Sequence, residues 1–125
     1  MNYLIDTHVL LWWLADDPVL TKTARNFIGN EENLIFVSAA SVWEIIIKKA
    51  IGKLEAPDGI DLILKENNFK ELPMTLTHVM MIANLPNHHH DPFDRMLIAQ
   101  AKCERMTLIT VDAKLALYDV LQVKV

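Results

Sequence analysis

Four acidic side chains sit where strands and helices should meet. Asp6 follows the apolar run Tyr3-Leu4-Ile5, Asp112 follows Leu108-Ile109-Thr110-Val111, Glu44 lies inside an apolar helix, and Asp94 falls within Asp91-Pro92-Phe93-Asp94. Like charges about 4 Å apart repel by roughly 4 kcal/mol at an effective dielectric near 20. Several such pairs would cancel much of a domain's stability of about 5–15 kcal/mol, so a gathered cluster must share protons or bind a cation. Oxygen donors without Cys or His favour a hard ion, Mg²⁺ or Mn²⁺, over zinc. Such an ion orients a water and offsets charge on a leaving oxygen, which is the chemistry of phosphate esters.

Each acid also has an ordinary structural use. Asp6 can cap the helix that follows it. Glu44 lies three residues after Ser41, a capping-box spacing, and four before Lys48, an ion-pair spacing. Asp94 can answer the dipole of the helix it opens, and Asp112 can start the turn into Ala113-Lys114-Leu115. Singly, these uses suffice. Four acids at one edge of a sheet favour a site.

The elements that must position them follow from periodicity and punctuation. Residues 2–5 read as a strand, and a helix over 8–15 stops at Asp16-Asp17. A second helix runs from Thr21 to about Ile28, with Gly29-Asn30 as its stop. Leu34 to Val37 is continuously apolar, as a strand buried on both faces would be. Helices are predicted over 38–51, ending before Gly52, and over 60–67, after the turn Pro57-Asp58-Gly59. A short segment at 70–72 precedes a helix over 75–85 and a loop over 86–91. Asp91 is an N-cap with Pro92 at the first helical position, and that helix reaches about Arg105. Strands follow at 107–111 and 122–125. The alternation implies an α/β fold with a mostly parallel central sheet of four to five strands flanked by helices. Ligands of such sheets sit outside the carboxyl ends of strands, near the switch in strand order. Asp6 and Asp112 stand at two such ends.

Composition bounds the rest. A chain of 125 residues is expected to form one domain, residues 1–125, and 52% hydrophobic with 22% charged residues is ordinary globular usage. The single Cys103 allows no intrachain disulfide, which suits a reducing cytoplasm. The N-terminus has no basic export region, and the apolar run Val9 to Ala15 is too short to span a bilayer, so no membrane role is expected. Net charge −4 is the wrong sign for gripping nucleic acid by bulk charge. With four acids set aside in a metal site, however, 12 acids face 12 bases and the balance is neutral. Two other acid chemistries fit poorly. A phospho-acceptor receiver wants paired acids after its first strand, and an aspartyl phosphatase wants Asp-x-Asp there, where His8 stands in the second position.

The segments Tyr3-Leu4-Ile5-Asp6-Thr7-His8, Ser41-Val42-Trp43-Glu44-Ile45, His90-Asp91-Pro92-Phe93-Asp94-Arg95-Met96-Leu97 and Leu108-Ile109-Thr110-Val111-Asp112 resemble a PIN domain, nearest to the VapC-type toxin ribonucleases of type II toxin–antitoxin modules. The likeness covers nearly the whole chain in the expected order. It implies a metal-dependent endoribonuclease with Asp6, Glu44, Asp94 and Asp112 as catalytic, metal-binding acids around Mg²⁺ or Mn²⁺. It further implies an RNA substrate, a cognate antitoxin protein and a homodimer. Thr110 matches a position that helps orient the acids, Asp91 is close enough to assist, and Arg95, Lys48 and Lys49 could touch phosphates. The alternative is a non-catalytic PIN-fold scaffold that binds RNA or a partner. His88-His89-His90 reads as a solvated loop, since three consecutive side chains do not converge easily on one ion. Trp12 and Trp13 point about 100° apart on the first helix, so one is expected inside and the other partly exposed, or both serve the core, or, as the resemblance implies, they form a groove for an antitoxin segment or a dimer contact. The six methionines read as gap-filling core.

Overall fold

Apolar runs and helical stretches become a five-stranded parallel sheet in the computed structural model, which describes residues 2–88, 90–120 and 122–124. Strands β1 (Asn2–Ile5), β2 (Leu34–Ser38), β3 (Lys70–Leu72), β4 (Thr107–Thr110) and β5 (Gln122–Lys124) lie in the order β3-β2-β1-β4-β5, every pairing parallel. The chain builds outward from β1 to β3, then returns to the other side of β1 for β4 and β5. Strand order therefore reverses between β1 and β4, where sheets of this kind open a crevice beyond their carboxyl ends. The expected α/β class and strand number are those of the molecule.

Side chains alternate between the faces of a strand, and the register pairs Leu4 with Leu108 and Ile5 with Ile109. Leu4 and Leu108 join Leu97, Ile98 and Leu115 in one core; Ile5 and Ile109 join Val9, Leu10, Ile28 and Ile45 in the other. Fully burying each such side chain contributes about 1.5–3 kcal/mol. Burial on both faces is why these strands read as unbroken apolar runs.

The helices are α1 (Thr7–Leu14), α2 (Lys22–Gly29), α3 (Ala39–Ala50), α4 (Ile60–Glu66), α5 (Leu76–Ile82) and α6 (Pro92–Glu104), with a 3₁₀ turn at Ala113–Leu117. Asp6, Thr21, Ser38, Thr75 and Asp91 each cap a helix by accepting from its first-turn amides. None of these helices is long and apolar enough to cross a membrane.

Three expectations need correction. The helix expected over 75–85 ends at Ile82, because Thr75 is its cap and Asn84 and Leu85 turn back three residues to Met81 and Ile82. Pro86 disfavours helical backbone at the residue before it, which agrees with that early stop. Ser41 caps nothing: Ser38 caps α3, and the buried Ser41 hydroxyl has no hydrogen-bond partner among the described residues. Trp12 and Trp13 are both partly buried and pack against the core around Ile5 and Ile109, in line with the expectation that both serve the core. Trp13 donates to Asn67 Oδ1 at 3.0 Å and packs on Phe69, while Trp12 lies against His8. Finally, Met96 and Met106 are core, but Met74 and Met80 are exposed.

Candidate functional site

Asp6 closes β1 and opens α1, and both roles converge on one buried carboxylate. Its Oδ1 accepts from the Val9 amide at 2.8 Å, the N-cap bond. Its Oδ2 accepts from the Thr110 hydroxyl at 2.6 Å and the Val111 amide at 3.2 Å, across the switch between β1 and β4. Burial pushes the Asp6 carboxyl above its ordinary value, opposed by the hydrogen bonds from Thr110, Val9 and Val111. Thr110 Oγ1 also accepts from the Asp112 amide at 3.0 Å, so one hydroxyl ties the two strand-end acids together. Asp112 in turn caps the 3₁₀ turn through the Lys114 amide.

Glu44 lies in the second turn of α3 and is 3% exposed. A buried carboxylate needs partners for both oxygens. Oε1 accepts from the Thr7 hydroxyl at 2.8 Å, and Oε2 from the Lys48 ammonium one turn on. The hydrogen bond to Glu44 is the main cause that lifts Lys48 above the usual lysine value, against its partial burial.

Asp94 is the third residue of α6 and only partly exposed. Burial, then the charges of Asp91, Glu44, Asp112 and Asp6 in that order, raise its carboxyl to about 7. The five acids are thus close enough to share one electrostatic neighbourhood. Asp91 is also the α6 cap, its Oδ1 accepting from the Phe93 and Asp94 amides at 2.9 and 3.2 Å.

Among the described residues no three acids, His or Cys converge as a single ion would require. The cause is visible at two of the acids: Glu44 is held by Thr7 and Lys48, and Asp6 by Thr110, Val9 and Val111. The donor set nevertheless fits a hard divalent ion in chemistry and in charge. It is all oxygen, and Asp94, raised to about 7 by burial first and then by the charges of four neighbouring acids, sits where a cation would offset both. Asp6, Glu44, Asp94 and Asp112 are the residues that could hold the ion.

The basic residues near the acids have partners within the protein. The Arg95 guanidinium donates to the carbonyls of Pro86 and Ile82 and to the Tyr118 hydroxyl, bracing the loop between α5 and α6. Lys49 pairs with Asp58. His88 stacks edge-on against Tyr118, His90 is exposed, and His89 lies outside the described residues.

Two features escaped the sequence reading. Thr7 is a ligand of Glu44 from 37 residues away, a pairing only the fold creates. The Trp43 and Phe93 rings, each preceding an acid, meet edge to face with centroids 5.2 Å apart and pin α3 to α6 beside the site. The matching aromatic–acid order in Trp43-Glu44 and Phe93-Asp94 was the available signal.

No curated protein sequence matches the chain. Among solved structures, VapBC2 from Rickettsia felis bound to a DNA fragment from its promoter is similar at TM-score 0.75 and 15% identity, covering 99% of this chain and 98% of that one. VapBC-1 from nontypeable Haemophilus influenzae is similar at TM-score 0.69 and 17% identity, over 99% and 98% of the two chains. FitAcB from Neisseria gonorrhoeae follows at 0.67 and 17%, over 96% and 95%. These likenesses are of fold. Residues 3–121 also match the family model for the PIN domain, nearly the whole length, and the chain belongs to the PIN domain family.

Proposed function

We propose that this PIN domain is a Mg²⁺- or Mn²⁺-dependent endoribonuclease that hydrolyses RNA phosphodiester bonds, the VapC-type toxin of a type II toxin–antitoxin module. It acts in the cytoplasm as a homodimer, and its protein partner is a cognate antitoxin. The observation that supports the reading most is that Asp91, Glu44, Asp112 and Asp6 all act on Asp94 near the switch between β1 and β4, where burial first and their charges second raise its carboxyl to about 7. The fold likeness to VapBC2, VapBC-1 and FitAcB supports the toxin assignment.

In this reading Asp6, Glu44, Asp94 and Asp112 hold the ion. The bound ion supplies an activated water and offsets charge on the leaving oxygen. Thr110 and the Val111 amide fix the Asp6 carboxylate, Thr7 fixes Glu44, and the α6 cap at Asp91 fixes the turn that carries Asp94. The products carry a 5′-phosphate and a 3′-hydroxyl, because water and not the ribose 2′-hydroxyl attacks.

The test is cleavage of total cellular RNA by the purified chain with Mg²⁺ or Mn²⁺, with EDTA, and beside Asp6→Asn. Cleavage should require both the ion and Asp6. Cleavage that survives EDTA or the substitution would overturn the reading. A folded protein that neither cleaves nor binds the ion would be a non-catalytic scaffold.

A further inference from the structure

Lys48 stands in an unusual relation to the acids. It is one turn beyond Glu44 on α3, so the two side chains share a face. Ordinary pairs at this spacing join two solvated groups. Here the Glu44 side chain is 4% exposed and the Lys48 side chain 35%, so the ammonium reaches inward from the rim to a buried oxygen. The charges of Asp91 and Asp94 act on the same ammonium from the start of α6. With Thr7 on Oε1 and Lys48 on Oε2, both oxygens of Glu44 are in use. A divalent ion approaching Oε2 meets a cation already there.

We propose that Lys48 is a tethered counter-cation: it occupies the ion's place at Glu44 and must be displaced before a divalent ion binds, and so sets the ion concentration at which the site fills. The inference rests on the metal dependence proposed above. Its stem of four methylenes allows the exchange, since a lysine head is a compact charge on a flexible chain. Lys48 is a positioning residue in this scheme, because it acts on the ion through Glu44.

The experiment measures binding of Mn²⁺ alone, by calorimetry and by loss of the free-ion electron paramagnetic resonance signal. The proteins are wild type, Lys48→Gln, Lys48→Arg and Lys49→Gln, each checked for folding by circular dichroism. Lys48→Gln should bind Mn²⁺ about tenfold tighter, since it removes the competing cation beside the ion. Lys48→Arg keeps the competitor and should stay within about twofold of wild type. Lys49→Gln removes a charge from the same helix but only from the exposed pair with Asp58, and should also stay within about twofold. If Lys48→Gln does not fold, Lys48→Met provides the same comparison. Equal or weaker binding by Lys48→Gln (or by Lys48→Met), or the same tightening in Lys49→Gln, overturns the proposal while leaving metal dependence intact. No Mn²⁺ binding by any of the proteins overturns both.

Discussion

Replacing Asp94 with asparagine should make the ion-free protein more stable, by an amount that grows with pH. The carboxyl ionises near 3.8 in the unfolded chain and near 7 in the folded one. A shift of about three units corresponds to about 4 kcal/mol at 1.36 kcal/mol per unit. The side chain keeps some solvent contact, so roughly half of that, about 2 kcal/mol, survives screening. Asparagine gives up the favourable dipole term of a first-turn acid, about 0.3–1 kcal/mol. The net gain is about 1–2 kcal/mol above pH 7. Between the two pKa values the folded state holds the proton that the unfolded state has released. Wild-type stability is therefore lost progressively from about pH 4 to about pH 7 and stays lost above, whereas the variant has no such loss. Urea unfolding in EDTA at about pH 5 and about pH 8 should show the two proteins nearly level at the lower value and the variant ahead at the higher. Millimolar Mg²⁺ should narrow the gap by stabilising wild type. A difference that stays flat between the two pH values, or a variant less stable at the higher one, would refute the burial and crowding of Asp94.

Thr110→Val removes the hydroxyl that donates to Asp6 and accepts from Asp112, and should cost about 1–3 kcal/mol in urea. That hydroxyl lowers the Asp6 carboxyl, so its loss raises it further and the deficit should widen with rising pH; a deficit that shrinks would count against the bond. His78 is buried, with Nδ1 accepting from the Thr75 amide, so Nε2 carries the hydrogen and donates to Glu104. His78→Ala removes this capping box and leaves a cavity, at a cost of about 2–4 kcal/mol. Hydrogen exchange should accelerate first in the α5 amides, and unchanged protection there would dismiss the capping account. Arg105 ends α6 at φ 55°, a left-handed conformation that costs a side chain about 1–2 kcal/mol. Arg105→Gly should therefore gain about 0.5–1 kcal/mol after the entropy of glycine is counted, and a lowered melting temperature would contradict it.

What the sequence made legible was local. Asp91-Pro92 announces the start of α6 because a cap and a fixed φ act on adjacent residues, and the apolar runs announce strands because both faces of this sheet are covered. What it hid was set by distant partners. Nothing near Arg95 in sequence announces that Ile82, Pro86 and Tyr118 close around it. Ser41 has the spacing of a cap, but β2 delivers Ser38 to that position. The spacing of Lys48 fits an ion pair with Glu44 and the resemblance offers it a phosphate, and only the burial of Glu44 makes the pair more than a surface one. The helical side-chain pattern of α5 runs on past Ile82, where the helix ends ahead of Pro86.

The order of the strands also fixes when the acid cluster comes into being. β1 is made first, yet Thr110, which clasps its terminal Asp6, arrives 104 residues later. Joining such distant segments costs loop-closure entropy before any contact repays it, so this pairing belongs late in folding. A growing chain that has completed β3 can pair β1, β2 and β3 on one side, while Asp6 still lacks Thr110, Asp94 and Asp112. The chemistry of the cluster thus belongs to the finished polypeptide, and a half-made copy at the ribosome carries only its unassembled parts.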